Sequence, residues 1–498
     1  MKRVVLLLLV LAPVLLYAQN NQNFDKSFEE FQKSINQTFN AFQDSINTVF
    51  AKVLEDQWDE FQVFAKIPVP VKPNPKIPPV ADTLRKETPA PVEIPIKEVA
   101  PEKEKPEPQK PKEEEPQSEP ATPPKPQITP HHKTIQLWNS NFNISYDRTL
   151  ENFSLPNTQE KSVAEFWLSL SRSDYQPILN NLTEIQHQCN LNPYGLALLC
   201  SEYAATVWAD KSRDFSNEST MLLVFLLNQL LLDAKAVRIS NRLEAVIYSP
   251  QEVYAKSYIE INKKKYYFLF SNIEPASLYT YKINFSEKVI GLDFNVYKPL
   301  KISQKTSEKE FKIKKINKTI KLTYSNDAIT YYKNYPQVNA DIYANAAVSD
   351  IFKSSVVHQF RPLLEGKTEY ESVDILLNFM HHSFEYQTDE EQFGYEKWNF
   401  CEENLFYPYN DCDDRAILFS YLVRELLHLD VVLLLFSEHM SSAVNFTTPI
   451  TGDYFTVDGQ KFVICDPTYI DAKIGMNPPK YKYEHAEIVR TKKHNELK

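Results

Sequence analysis

The sequence predicts an α+β fold in which one helix-and-strand unit occurs twice, behind an N-terminal helix and a proline-rich linker. Three observations lead to this prediction. An apolar helical run at 416–429 is followed by alternating, strand-type segments as far as residue 466. The segment 215–270 shows the same order of patterns, and more than half of the 33 prolines fall within 67–130. A chain of 498 residues has room for several cores of ordinary size.

Residues 1–18 are predicted to be a secretory signal peptide. Met1-Lys2-Arg3 supplies a basic start, an apolar stretch follows, and the small residue Ala18 precedes the expected cleavage point. The apolar stretch is short for a membrane span, which needs about 20 residues. The protein is therefore expected to be exported, and to be held at a membrane only if the signal is not cleaved.

An amphipathic helix is predicted over 19–66, because apolar residues recur there with an 11-residue period. Three apolar positions in eleven residues match three helical turns. Such a stripe needs a partner, so self-association, packing on the main body and lying on a membrane are the alternatives. The polar face is mixed in charge, which favours self-association or a partner helix. The expected contact residues are Phe28, Phe31, Phe39, Phe42, Phe50 and Phe61.

Residues 67–130 are predicted to form a disordered linker that acts as an extended spacer. They contain many prolines, lysines and glutamates and no aromatic residue. Such a composition buries too little apolar surface to fold, while the prolines keep the chain extended. Beyond the linker, we predict a first α+β domain at 131–280, a β-rich segment at 281–335 and a last α+β domain at 336–498.

Three polar residues in the last domain have the order and spacing that a cysteine-dependent hydrolase requires. Cys412 stands at the start of the apolar helix, where free N–H groups and the helix dipole favour a thiolate. His439 precedes a strand-type segment and can act as the general base. Asp466, just before Pro467, can orient the imidazole. Each residue alone has an ordinary structural explanation, so the prediction rests on their order and spacing together.

The segment 215–270 can be aligned with 412–466 almost without gaps. The alignment places Phe215, Arg242 and Phe270 at the three polar positions of the catalytic domain. The first domain is therefore predicted to be a degenerate copy that keeps the scaffold and lacks the chemical groups. Coincidence between two short α+β stretches is the alternative.

Nucleic acid, metal ions and cofactors are not expected. The net charge is −10, and no basic stripe with interleaved aromatic residues is present. His381 and His382 are adjacent rather than three or four residues apart, and no Cys-x-x-Cys pair occurs. A phosphate-binding glycine-rich loop is also missing, since the chain has only seven glycines.

An odd number of cysteines leaves at least one free thiol in an exported protein, and a catalytic thiol would be that one. The alternative is that all of them are small buried apolar residues. Composition does not decide between the two. The five are Cys189, Cys200, Cys401, Cys412 and Cys465.

The run 410–416 (Asn-Asp-Cys-Asp-Asp-Arg-Ala), with the later His439 and 466–468 (Asp-Pro-Thr), resembles the transglutaminase-like superfamily of papain-related cysteine hydrolases. The resemblance implies a helix carrying Cys412 packed on an antiparallel sheet that carries His439 and Asp466. It also implies that these residues are nucleophile, base and orienter in amide or peptide hydrolysis. The whole layout is similar to exported members from the Bacteroidetes group, which implies the periplasm, cell envelope or exterior of a Gram-negative bacterium.

Three residues ahead of the helix, Trp398, Glu402 and Tyr409, are expected to line the cleft or to help hold the oxyanion. The expected substrate is a protein or peptide. The alternative function is a non-catalytic scaffold or binding protein of the cell envelope, in which the fold only presents a surface.

Overall fold

The computed structural model describes residues 43–69, 77–81, 91–96, 131–208, 216–302 and 305–492. The predicted signal peptide lies outside these ranges, as do Phe28, Phe31, Phe39 and Phe42 of the predicted stripe. Within the described ranges, no helix combines the length and the apolar character that crossing a bilayer requires.

The predicted α+β class is confirmed, since helices pack against antiparallel sheets throughout the described residues. The first half starts with helix α1 over 43–55. Its further elements are β1 (Asp59–Gln62), β2 (His131–Leu137), β3 (Ser140–Tyr146), α2 (Glu160–Arg172), α3 (Gln176–Cys189), α4 (Pro193–Val207), α5 (Asn217–Gln229), β4 (Ala234–Ile239), β5 (Arg242–Tyr248), β6 (Tyr258–Ile261), β7 (Lys264–Tyr267) and β8 (Ser277–Thr280).

The second half begins with a hairpin, continues through a group of helices and ends in a second sheet. Its elements are β9 (Thr306–Ile313), β10 (Lys318–Ser325), α6 (Asn326–Tyr332), α7 (Ala340–Ala344), α8 (Asp350–Leu364), α9 (Glu369–Ser383), α10 (Asp389–Phe393), α11 (Glu403–Phe406), α12 (Cys412–Leu427), β11 (Asp430–Leu435), β12 (Met440–Asn445), β13 (Tyr454–Val457), β14 (Gln460–Ile464) and β15 (Glu487–Arg490).

The two halves share one connectivity. In the first sheet the strand order is β1-β8-β4-β5-β7-β6, and in the second it is β13-β14-β12-β11-β15. Read from its other edge, the second order is β15-β11-β12-β14-β13, and it matches the part β8-β4-β5-β7-β6 of the first order. Strands β11 to β15 therefore take the places of β4 to β8 in turn. In each half a buried helix, α5 or α12, directly precedes and packs on its sheet. This is the arrangement that the alignment of 215–270 with 412–466 requires.

One buried apolar core runs through both halves, so the predicted boundaries at 280 and 335 do not separate independent cores. At the junction, the N–H of Tyr254 donates to the carbonyl of Gln337 at 2.8 Å, and the ring of Tyr254 meets that of Trp398 edge-on. The predicted β-rich segment 281–335 contains one hairpin, β9–β10, and then helix α6. The hairpin packs on α8 and α9, and therefore belongs to the second half.

The helix predicted over 19–66 is wrong at its C-terminal end. It ends at residue 55, and Phe61 lies in β1, opposite Leu278 of β8. The reason is that β1 satisfies the backbone groups at the edge of the first sheet, while Val63, two residues further along, packs into its buried face. Sheet pairing therefore outweighs the helical period of the sequence.

The phenylalanine stripe, where it is described, packs on the main body. The ring of Phe50 lies 4.8 Å from that of Trp167, 5.6 Å from Tyr281 and 5.3 Å from Phe285, measured between ring centroids. Phe50 is 2% exposed. At Phe50 the structure shows packing on the main body, one of the alternatives, in place of the favoured self-association or partner helix.

Two stretches of the predicted disordered linker, 77–81 and 91–96, lie against the second half. The N–H of Ala81 donates to the carbonyl of Ile470, and the N–H of Ile94 donates to the carbonyl of Tyr454. Composition favoured disorder because proline lacks a donor. Here Pro79 contributes only its carbonyl, to the N–H of Ile470, so the missing N–H costs nothing. The residues of the linker outside 67–69, 77–81 and 91–96 lie outside the described part of the chain.

Candidate active site

The first turn of α12 presents Cys412 at its N-terminus. A capping box holds this helix end: the side chain of Asp411 accepts the N–H of Asp414, and the side chain of Asp414 accepts the N–H of Asp411. Both carboxyl groups are fully buried. The position of the thiol is therefore set by the caps on either side of it.

The structure brings the three predicted catalytic residues together. His439 Nε2 donates to Asp466 Oδ2 at 2.7 Å, and the backbone N–H of Met440 donates to Cys412 Sγ at 3.4 Å. Since Met440 directly follows His439, the sulfur lies against the backbone of the base. His439 Nδ1 is buried and makes no hydrogen bond. One ring nitrogen of His439 thus holds Asp466, and the other is not engaged in a hydrogen bond.

Asp466 is held as an ionised carboxylate. Burial alone would raise its pKa, but attraction to His439 and hydrogen bonds from His439, Thr468 and Tyr469 lower the pKa overall. The backbone N–H groups of Thr468 and Tyr469 donate to its Oδ1 at 2.8 and 3.0 Å. His381 Nε2 donates to its backbone carbonyl at 2.9 Å. Asp466 therefore keeps one oxygen for the protein frame and the other for His439.

The triad is closed to solvent. Cys412 and His439 are 0% exposed and Asp466 is 2% exposed. The ring of Tyr481 stacks on that of His439, with 5.1 Å between centroids and 16° between planes. Access to the thiol therefore requires a movement of the surrounding chain, and Tyr481 is one of the rings that enclose His439.

Buried carboxyl groups surround the start of α12. The pKa values of Asp389, Asp411 and Asp414 are all raised, first by burial and then by repulsion among neighbouring carboxylates. Protonation of such groups removes part of the negative charge that would oppose a thiolate at Cys412. Oxygens of these three residues lie within 4.8 Å of one another, close enough to share a cation, although Asp411 and Asp414 already cap the helix.

A buried ion pair supports the N-terminal end of α12. Lys397 Nζ donates to Glu403 Oε1 at 2.8 Å and also to the side-chain oxygen of Asn399. Asn399 in turn donates to Asp414 through its backbone N–H and its side-chain amide, at 3.1 and 2.9 Å. The chain of contacts therefore connects a fixed cation to the cap of α12.

Tyr386 is a candidate site residue that the sequence reasoning missed, and Arg415 was noted there only as part of the run 410–416. The backbone next to Tyr386 is anchored on both sides of the nucleophile, since Glu385 O accepts the N–H of Asn410 and Phe384 O accepts Arg415 Nη2. The hydroxyl of Tyr386 is buried without a hydrogen-bond partner. A donor left unsatisfied in this way is rare and points to a missing acceptor.

The charges around Tyr386 keep its hydroxyl protonated. Burial raises its pKa, and the acidic neighbours Cys412, Asp411 and Asp413 raise it further to the extent that they are ionised. The guanidinium of Arg415 lies 5.5 Å from the centre of its ring. Burial lowers the pKa of Arg415 to about 10, which still leaves a cation at neutral pH. No short motif in the sequence marks Tyr386, because only the fold brings it to α12.

Trp398 and Tyr409, expected near the cleft, make other contacts. Trp398 is 2% exposed and packs edge-on against Tyr254 and Tyr343, at the junction of the two halves. Tyr409 is tied through its backbone to the side chain of Gln392. Trp398 therefore helps to pack the two halves together. Tyr409 is near Cys412 in sequence, and it contacts Gln392.

Glu402, the third residue expected in the cleft, is a buried helix cap. Its two oxygens accept the N–H groups of Ser325 and Ser349 and the hydroxyl of Ser349 at 2.7 to 2.9 Å. Ser325 and Ser349 are themselves the N-caps of α6 and α8. The carboxylate thus joins two helix starts, and burial raises its pKa.

The corresponding positions of the first half carry none of the three groups. Arg242 begins β5 and pairs with Glu244, and Phe270 is partly buried against the apolar core. Phe215 lies outside the described residues. The three predicted catalytic side chains therefore occur together only in the second half.

None of the five cysteines forms a disulfide, and all five are buried. Burial raises the pKa of Cys189, Cys200, Cys401 and Cys465, that of Cys401 to about 12. These four thiols are therefore poor nucleophiles at neutral pH.

No family model, curated protein or solved structure matches the chain. The geometry of the site itself must therefore carry the functional interpretation.

Proposed function

We propose that this protein is an exported cysteine-dependent hydrolase of amide or peptide bonds, with a papain/transglutaminase-like catalytic half. The observation that carries the proposal is the contact between His439 and Asp466 at 2.7 Å, with Cys412 against the adjoining N–H. Support for the fold comes from α12, which starts with the cysteine and packs on an antiparallel sheet. The basic and apolar N-terminal sequence supports export, to the periplasm or envelope of a Gram-negative bacterium.

In the first step, His439 Nδ1 takes the proton of the Cys412 thiol, and the sulfur attacks the carbonyl carbon of the substrate. Asp466 holds the imidazole in the tautomer with Nδ1 open and stabilises the imidazolium that forms. The carbon–nitrogen bond then breaks, and the imidazolium returns the proton to the leaving amine. The product of this step is a thioester on Cys412.

The oxyanion of this step needs donors that are in place before the reaction. The backbone N–H of Cys412, at the positive end of α12, is one donor. The hydroxyl of Tyr386 is the second, because it is buried, protonated and without a partner. Arg415 adds positive charge on the same side of the helix.

In the second step, His439 takes a proton from water, and the hydroxide attacks the thioester. The carbon–sulfur bond breaks, the acid is released, and the thiol recovers its proton from the imidazolium. An amine in place of water would give a new amide by the same sequence of proton transfers.

Release of amines from unfolded casein and from crosslinked muropeptides tests the proposal. The parent and Cys189→Ala, a matched control at another buried cysteine, should hydrolyse one of these substrates. Cys412→Ala and His439→Ala should lose about 10³-fold or more in rate. Tyr386→Phe should lose about 10²-fold in kcat with an unchanged unfolding midpoint, since its hydroxyl makes no bond in the folded protein. Equal hydrolysis by Cys412→Ala would exclude the proposal.

The second candidate is a non-catalytic scaffold of the cell envelope, which the closed triad favours. A scaffold has no use for an accessible thiol. If the parent hydrolyses neither substrate and the Cys412 thiol reacts no faster than the other four, this candidate replaces the first.

A further inference from the structure

The segment 91–96 runs along the edge of the second sheet. The N–H of Tyr454, in β13, donates to Val92 O at 3.1 Å, and Ile94 N–H donates to Tyr454 O at 2.9 Å. Glu93 accepts the hydroxyl of Thr456 at 2.5 Å. A short extended peptide thus adds to an exposed strand, the pairing that edge strands offer.

Ile94 fixes this segment through an apolar anchor. Its side chain is 1% exposed and lies in one buried cluster with Tyr481 and Ala486. Ala486 N–H donates to Pro95 O at 3.3 Å. The segment therefore grips the chain on the C-terminal side of Tyr481, the residue that covers His439.

The segment 77–81 holds the chain on the other side. Ala81 N–H and Ile470 N–H form reciprocal bonds, to Ile470 O and Pro79 O, both at 2.8 Å. Ala81 packs in a small buried cluster with Tyr469, whose own N–H donates to Asp466 at 3.0 Å. The contact, at Tyr469 and Ile470, lies three and four residues after the orienting carboxylate.

Charge at the edge of the sheet matches this arrangement. Asp453 Oδ1 accepts the N–H of Val92 at 3.0 Å and pairs with Lys482 at 3.5 Å. Lys480, next to Tyr481, pairs with Glu438, next to His439. Asp453 therefore connects Val92 to the stretch that carries Tyr481, and Lys480 connects the same stretch to the residue before His439.

We propose that residues 77–81 and 91–96, here called the strap, are an intramolecular partner of this surface and that their release uncovers Cys412. The strap fastens both ends of the stretch 470–486, which carries Tyr481 over the base. The surface beside β13 fits an extended peptide with an aliphatic residue between prolines. The segment 91–96 of the chain itself is such a peptide, with Ile94 between Pro91 and Pro95. The inference rests on the proposed function only for the consequence that release permits catalysis.

The test compares two substitutions of the same kind within the strap of the full-length protein. Ile94→Asp places a charge in the buried cluster, whereas Ile77→Asp changes a side chain that is 79% exposed. With iodoacetamide in the absence of substrate, Ile94→Asp should label Cys412 about tenfold faster than the parent, and Ile77→Asp should match the parent. Peptide mass spectrometry measures the labelling of each cysteine.

A second variant guards against unfolding. Glu93→Gln with Thr456→Val weakens the strap without placing a charge in the core, and should also speed the labelling of Cys412 while Cys189 and Cys200 stay protected. Hydrogen exchange at the amide of Ile94 reports release. If Ile94→Asp labels all five cysteines, the milder variant decides. If the amide of Ile94 exchanges freely while Cys412 labels at the parent rate, the strap does not close the site.

Labelling and hydrolysis separate the two proposals. Faster labelling of Cys412 without hydrolysis of any substrate would support the strap and contradict the proposed function. Hydrolysis by the parent at a rate that Ile94→Asp leaves unchanged would support the function and contradict the strap.

Discussion

Buried charged side chains are the main feature of the surroundings of Cys412. Lys397 and Glu403 are 3% and 0% exposed along their side chains, and their contact supports Asn399 and through it the cap of α12. Burial alone would lower the pKa of Lys397, but attraction to Glu403 raises it overall. A cation in such a place stabilises the fold only while its partner is present.

Replacing Lys397 with Met should therefore destabilise the protein strongly. The change leaves Glu403 buried without its cation, which typically costs about 3–5 kcal/mol. Lys397→Met with Glu403→Gln should regain much of this loss, because Gln still accepts the N–H of Phe400. Urea unfolding measures both variants. A loss below about 1 kcal/mol in the single variant would show that the pair is not important for stability.

The carboxyl cluster makes a prediction about pH. The pKa of Asp389 is raised from 3.8 by burial and by repulsion from Asp414, so its contribution to folding worsens as pH rises from 3.8 towards the raised value. Asp389→Asn removes this titration, since its amide oxygen can still accept the N–H of Lys397. The free energy of unfolding of the variant minus that of the parent should therefore be larger at about pH 8 than at about pH 5. A difference that shrinks with pH would refute this explanation.

The ends of the strands and the loops between them position the candidate site residues. The loop after β14 passes the loop before β13 at a contact that only glycine allows: a Cβ on Gly475 would meet Gly452 Cα at 2.4 Å. Gly475 also bonds to Ile464 and Asp453 through its backbone, at 2.7 and 2.8 Å. This crossing holds the chain between Asp466 and Tyr481 against the sheet.

Gly475→Ala should thus loosen the cover of the triad. The substitution meets both a positive φ of +84° and backbone atoms. Gly459→Ala is the matched control, since its φ is +74° but no atom lies within 4 Å. The control should lose about 1–2 kcal/mol in the free energy of unfolding, and Gly475→Ala should lose more. Equal losses would mean that the crossing has no steric role.

The sequence predicted the elements whose signals are local and missed those that depend on distant partners. The run before 429 marked α12, and order and spacing marked Cys412, His439 and Asp466. Tyr386 carries no local signal, because it reaches the start of α12 only through long-range hydrogen bonds. These bonds join its neighbours Glu385 and Phe384 to Asn410 and Arg415. Motif spacing therefore predicted the proposed catalytic groups but not the proposed oxyanion donor.

At the scale of the whole molecule, one large apolar core runs through both described halves, and the described N-terminal stretches 43–69, 77–81 and 91–96 pack on these halves. Composition alone predicted a spacer at 67–130, because the pairing of Ile94 with β13 and of Ala81 with the loop at 470 depends on surfaces hundreds of residues away. For the same reason, the helical period around Phe61 gave way to pairing with β8. Local sequence propensity predicts secondary structure poorly where a segment can pair with the unpaired edge of a sheet.

A shared core predicts that the two halves unfold together. Hydrogen exchange in increasing urea should show the amides of β5 and β12 losing protection at one concentration. Tyr254→Ala, at the junction, should move both to a lower concentration by the same amount. Separate transitions for the two strands would show that each half is an independent domain.

The pH dependence of Cys412 alkylation tests most directly whether His439 and Asp466 activate this thiol. In the parent, the rate should rise through an inflection below about pH 7, and in His439→Ala the inflection should move towards the ordinary cysteine value of about 8.5. A parent profile with its inflection at about 8.5 or above, unchanged in His439→Ala, would contradict the assignment of Cys412 as an activated nucleophile.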